Sequence, residues 1–274
     1  MNNASQIQLY KRRSFLAPSG FLQLGNLNLK QIGLLGLLLF STPLLAQRTA
    51  KKTAESSQEY TINTAYGVNT NTNSGLLGGF AFKREKLLDT KGKNQWQLLS
   101  LELINVRSLK ERASTTSTGS RFVFGKQNYL FSLRPQYGRE FTLFKKTNTD
   151  GLQINGILAG GPSIGLVKPY YIQYNFGRSN IRTEAYNPLV HNNENAIVAS
   201  GSLFDGIGEI TPKIGANAKV ALNVELSSFQ RSNIGLEIGF LVEAYSEEIK
   251  IMALAPNRSN FTSGYITLYF GNRR

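Results

Sequence analysis

From Tyr60 onward, apolar and polar positions alternate with the two-residue period of a β-strand in eight separate stretches. In Tyr60 to Asn69, Tyr60, Ile62, Tyr66 and Val68 oppose Thr61, Asn63, Ala65 and Gly67. In Leu76 to Glu85, Leu76, Phe80 and Phe82 oppose Leu77, Gly79, Ala81 and Lys83. Trp96 to Val106, Asn128 to Phe144 and Leu152 to Leu166 repeat the pattern, the last with a bend expected at Gly160-Gly-Pro162. The clearest cases are Ile214 to Leu226 and Ile234 to Tyr245, and Phe261 to Phe270 completes the set. No extended segment carries a 3.6-residue period, and glycines inside these stretches would weaken helices by about 1 kcal/mol each relative to alanine.

The number of stretches is even, and each is near the about 9–11 residues a tilted membrane-spanning strand needs. The predicted fold is all-β: a closed antiparallel up-and-down transmembrane barrel of about eight strands. A water-soluble barrel would place long charged side chains on its polar row, because that row meets water. Here the polar row consists of Gly, Ala, Ser, Asn and isolated charges of both signs, which suits a narrow lumen. Charges enclosed there must be paired, so a lumenal salt-bridge network is expected among Lys83, Glu102, Arg134, Glu140, Lys219, Glu225, Glu237 and Glu243. Connections 86–95, 145–151 and 227–233 on one side are short. Three of the four on the other side (70–75, 107–127, 167–213 and 246–260) are longer, the asymmetry of outer-membrane barrels. Tyr60, Trp96, Tyr129, Phe144, Phe261 and Tyr269 lie near strand ends, where aromatic girdles form. The glycine pairs Gly78-Gly79 and Gly160-Gly161 sit inside strand patterns and predict bends or bulges, not phosphate loops.

The N-terminus follows a different pattern. Lys11, Arg12, Arg13 and Lys30, with no acidic residue, precede the apolar run 32–40 and then Ser-Thr-Pro-Leu-Leu-Ala46. Residues 1–46 therefore predict a secretory signal peptide, too short in its apolar core to span a bilayer. Residues 47–58 are polar without a period and predict a disordered periplasmic tail, leaving 59–274 for the barrel. The chain has no cysteine, which excludes disulfides, thiolate metal sites and a lipidated anchor. Of the net charge of +14, four units belong to the leader. The basic surplus that remains suits phosphate-bearing surfaces such as lipid head groups or lipopolysaccharide, and export disfavours nucleic acid.

The leader ending Leu-Leu-Ala-Gln47, the hairpin NTNSGLLGGFAF (71–82), YLFSLRPQYG (129–138) and GGPSIGLVKPYY (160–171) resemble the small outer-membrane barrel proteins of the OmpA/OmpX-like type, particularly those of Bacteroidota, and the aromatic-rich strand 264–270 resembles the targeting signal read by the outer-membrane insertion machinery. That resemblance implies a location in the cell outer membrane and no reaction. No catalytic residue, metal or cofactor is expected. His191 is the sole histidine. A lipid A-modifying site would need it beside Ser200 or Ser202 and an acid such as Asp205 or Glu209, and its spacing defines no such triad. In the first long loop, Arg107, Lys110, Arg112, Arg121 and Lys126 face only Glu111 and are candidates to bridge lipopolysaccharide phosphates. Loop 167–213 holds Tyr170, Tyr171, Tyr174, Phe176, Ile197, Val198, Leu203 and Phe204, too apolar for solvent alone, so it is expected to fold over the barrel mouth or dock on another envelope protein. The leading expectation is a structural or interaction component, such as a subunit of a larger secretion, assembly or uptake complex. The alternatives are a lipid A-modifying enzyme and a small-solute or lipid transporter.

Overall fold

The structure, a computed structural model, describes residues 61–88, 95–116, 119–144, 152–178, 180–228 and 232–274. The expected leader 1–46, the expected tail 47–58 and Tyr60 lie outside the described residues. Thirteen strands follow in chain order: β1 (Ile62–Asn71), β2 (Gly75–Leu88), β3 (Gln95–Val106), β4 (Ala113–Thr115), β5 (Arg121–Val123), β6 (Asn128–Phe144), β7 (Gln153–Pro169), β8 (Tyr171–Asn175), β9 (Ile181–Ala185), β10 (Ile197–Ser200), β11 (Thr211–Ser228), β12 (Ser232–Ile249) and β13 (Arg258–Arg273). Eight of them, β1-β2-β3-β6-β7-β11-β12-β13, form a closed barrel in which each pairs with its neighbour in sequence. Antiparallel pairing of β1 with β13, from Asn63↔Arg273 to Asn71↔Tyr265, completes the ring. The eight expected strands are these eight, and several run longer: β11 and β12 reach 18 residues each, which shortens the connections around them.

Alternation sets the two faces. On β11, Asn217, Lys219, Ala221 and Asn223 are buried while Ile214, Val220 and Leu222 are exposed. On β12, Glu237, Leu241, Glu243 and Tyr245 are buried while Ile238, Phe240 and Val242 are exposed. Val220 stands between Leu158 of β7 and Phe240 of β12, all three exposed. Repeated around the ring, this gives an apolar outer belt and an interior rich in ions and amides. That is the inverse of a water-soluble barrel and the distribution that hydrocarbon imposes on a transmembrane one.

Two expectations need correction. The Gly160-Gly-Pro162 segment is not a bend, because β7 runs unbroken from Gln153 to Pro169. Its pairing with β6 stops at Leu133↔Ile164 and resumes at Tyr137↔Gly160. Pro135 and Pro162 stand in that gap, and neither has an N–H to donate. The strands approach so closely there that a Cβ on Gly161 would lie 2.2 Å from the Pro135 carbonyl oxygen. The second correction concerns the aromatics: Trp96 and Tyr269 are not part of an interfacial girdle but lie inside the lumen. Tyr269 faces Gly67 across the β1–β13 pair, as Tyr245 faces Gly215 and Tyr265 faces Gly239. Each ring lies over a glycine, and a Cβ on Gly67 would come 2.7 Å from the Tyr269 ring. These three large rings fit in an eight-stranded lumen because the strand opposite each gives up its side chain.

Replacing Val220 by arginine should destabilise the barrel by about 2–4 kcal/mol, since the charge would enter lipid near mid-belt. Thr115→Arg on the β4–β5 hairpin should stay within about 0.5 kcal/mol. Urea unfolding from phospholipid vesicles measures both.

Candidate functional site

The lumen holds a column of alternating charge. Arg134 (β6) makes a two-pronged contact with Glu243 (β12), Nη2 donating at 2.7 Å and Nε at 2.9 Å. Its other terminal nitrogen lies 3.7 Å from Glu102 (β3). Lys219 (β11) donates to Glu102 at 2.8 Å and to Glu237 (β12) at 3.0 Å. Lys83 (β2) follows, 3.8 Å from Glu237, 2.7 Å from Glu85 and 4.0 Å from Glu140 (β6). Neutral groups hold the carboxylates in place. The Tyr265 hydroxyl (β13) donates to Glu237 at 2.7 Å, Asn155 (β7) to Glu140 at 2.6 Å and Asn63 (β1) to Glu85 at 2.7 Å. All eight barrel strands therefore contribute a side chain to one network.

The predicted lumenal residues Lys83, Glu102, Arg134, Glu140, Lys219, Glu237 and Glu243 are brought together here. Glu225 is also paired, but with Arg273 near the chain's C-terminus. Glu85, Arg273 and the three lumenal tyrosines were not among the expected site residues. Glu85 shares the row of Lys83 two positions on, so its parity was a usable signal, whereas Arg273 lies beyond the expected last strand. A small polar cavity remains near the end where β1 begins and β13 finishes, walled by Asn63, Glu85, Glu140 and Asn223 among others.

Towards the opposite end, the loop end, the lumen becomes apolar. Ile104, Val106, Leu130, Tyr245, Ile249, Ile251 and Met252 form a buried plug. Three connections are then tied to one another. The Gln127 and Asn128 amides donate to Ile251 O, Ala253 N donates to Gly125 O, and Tyr170 N donates to Gln127 O. The long connection carries its own sheet, β10-β8-β9, beside the β4–β5 hairpin. Phe122, Tyr170, Ile172, Tyr174, Tyr186 and Ile197 form a second buried cluster among these elements. The apolar half of loop 167–213 thus folds into a cap, while Leu203 and Phe204 stay exposed.

His191 is part of that cap. It is buried, with ring centroids of Tyr174 at 4.7 Å and Tyr186 at 5.8 Å. Its Nδ1 accepts from the Asn187 amide at 2.9 Å, and its Nε2 lies 3.0 Å from Glu184. Both ring nitrogens are engaged by their own loop. The Ser202 hydroxyl and the Asp205 carboxylate instead accept from the Phe204 and Ser202 amides within a turn.

The loop cations divide. Lys110, Arg112 and Arg121 are exposed. Arg107 pairs with Glu111 at 3.1 Å. Lys126 is buried, 2.9 Å from Glu111 and 4.2 Å above the Tyr129 ring. Burial pushes its ammonium below the ordinary lysine value, against the opposing pull of Glu111. Lys126 therefore braces the cap from within.

No family model matches the chain, and no curated protein matches it. Solved structures that it resembles include neisserial surface protein A (NspA), at 7% identity over 80% of this chain and 98% of that one, TM-score 0.34. Another is Ail, the attachment invasion locus protein of Yersinia pestis, at 11% identity over 78% and 97%, TM-score 0.35. Ail in complex with the heparin analogue sucrose octasulfate gives 10% identity over 78% and 97%, TM-score 0.34. Scores this low add no weight to the fold, which rests on the strand order, closure and register above, and nothing among them supports the narrower Bacteroidota resemblance. The chain is a small eight-stranded β-barrel of the outer-membrane type, with a filled lumen and a folded cap.

Lys219→Met should cost about 3–5 kcal/mol, because it leaves the carboxylates of Glu102 and Glu237 buried beside more distant cations. Adding Glu237→Gln to that variant should recover part of the loss. A double-mutant cycle by denaturant unfolding reads the coupling.

Proposed function

We propose that this chain is an exported, integral protein of a Gram-negative outer membrane, and that it works as a structural and interaction component rather than as an enzyme or a pore. One observation carries the reading: beyond a small polar cavity at one end, the lumen is filled by paired ions, amides, tyrosines and an apolar plug, beneath loops folded into a cap. Such an interior offers no aqueous path. The engaged ring of His191 favours a structural role for that residue over a hydrolytic one. What the molecule presents to its surroundings is the cap, which on this reading faces outward because the shorter connections lie at the opposite, periplasmic end, where β1 begins and β13 finishes.

Two classes of partner suit that surface. The exposed Lys110, Arg112 and Arg121, with Arg107 beside Glu111, suit lipopolysaccharide phosphates, which guanidinium groups bind in bidentate fashion. Lys126 is withdrawn from that role by burial. The sheet of loop 167–213 offers a stable surface to another envelope protein, as a subunit of a larger complex would need.

In planar bilayers the purified barrel should give no steady ohmic conductance, and a persistent open level would overturn the filled-lumen reading. Reversing Lys110, Arg112 and Arg121 together to glutamate should reduce the lipopolysaccharide retained per barrel by at least about threefold, from the loss of three charge-assisted contacts. Unchanged retention, measured on the purified protein, would leave these cations as merely solvated side chains.

A further inference from the structure

The turn between β10 and β11 is apolar on its exposed side, although it is firmly built. Leu203, Phe204 and Ile207 are 65%, 80% and 50% exposed. Its polar groups turn inward on one another. Ser202 N donates to Asp205 Oδ2 at 2.7 Å, Phe204 N to Ser202 Oγ at 3.2 Å, and the Tyr171 hydroxyl to Glu209. Gly206 sits at φ 75°, a left-handed position that a side chain would strain. Both acids are thus occupied, and the three apolar side chains are held out on a closed turn.

The position of this turn follows from strand parity. On β7, Ile164 and Leu166 belong to the outward row, and Lys168 is next on that row. Lys168 is nevertheless only 3% exposed, and its ammonium donates to the Asp205 carbonyl. Its partner across the ladder, Tyr129, continues the outward row of Phe131 on β6, and the two rings stack at 6.1 Å. The turn therefore lies against the outer flank of β7 where the lipid belt ends. The chain then re-enters the barrel at Thr211↔Val167, and the belt resumes at Ile214, itself 71% exposed.

We infer that residues 202–209 form an interfacial anchor whose Leu203, Phe204 and Ile207 enter the boundary between head groups and acyl chains beside β7 and β11. The occupant is lipid, because the patch lies against the outward Lys168 of β7 and runs directly into β11, and so continues the belt of the barrel. Apolar side chains on one face of a short polar turn are what such interfacial binding requires. The inference rests on the membrane reading given above and adds a contact outside the barrel wall.

The chain has no cysteine, so single cysteines can be placed by Phe204→Cys, Val220→Cys and Lys110→Cys, each labelled with the fluorophore NBD. Each variant is reconstituted as one barrel per phosphatidylcholine nanodisc carrying lipid with a shallow nitroxide or, in a matched set, with a mid-chain nitroxide. The expected result is lipid-borne quenching at 204 and 220 but not at 110, with dithionite bleaching at 204 slowed several-fold relative to 110. Quenching at 220 alone, with 204 bleached as fast as 110, would overturn the anchor and leave the membrane reading intact. Absence of quenching at 220 would overturn the membrane reading and the anchor with it. Protection of 204 from dithionite without lipid quenching would mean that protein covers the turn, which also overturns the anchor.

Discussion

Hydrocarbon offers a backbone amide nothing to bond with, so a sheet that crosses it cannot keep an edge. In this chain the requirement is met by β1 and β13, whose pairing brings residues 63 and 273 together and turns an eight-stranded meander into a ring. Closure at eight strands in turn fixes a narrow lumen. The glycines opposite Tyr245, Tyr265 and Tyr269, and the small side chains along the inner rows, follow from that width.

Charge inside such a lumen is tolerable only as a compensated network. Arg134, Lys219 and Lys83 each sit between carboxylates of different strands, so the ions act as ties across the barrel as well as along it. The apolar plug around Leu130 and Ile251 then closes the loop end, and the cap builds on the plug through Gln127, Ile251 and Tyr170. Interior and cap therefore divide the work: one fills the membrane-spanning ring, and the other converts three connections into a surface with a defined shape.

Much of this is legible in the chain itself. The period of two places Val220 and Leu222 on one face and Lys219 and Asn223 on the other wherever the strand ends up, and the small polar row assigns the inside. Strand number, direction and the division into long and short connections follow from the same pattern. Individual partners do not. Lys219 and Glu102 are 117 positions apart, and nothing local marks them as neighbours. Trp96 and Tyr269 resemble girdle residues because aromatic side chains suit both an interface and a lumen; Tyr269 finds its room inside over Gly67, while Trp96 stands on the inward row of Leu98 and Ser100.

The sequence by itself determined the alternation, hence which rows meet lipid and which meet each other, because side-chain direction along a strand is a local property of the backbone. Only the tertiary structure decided the order of ions in the lumen, the burial of Lys126 and His191, and the way residues 202–209 fold against the outside of β7. Those outcomes depend on register and closure, which bring together side chains that the chain keeps far apart.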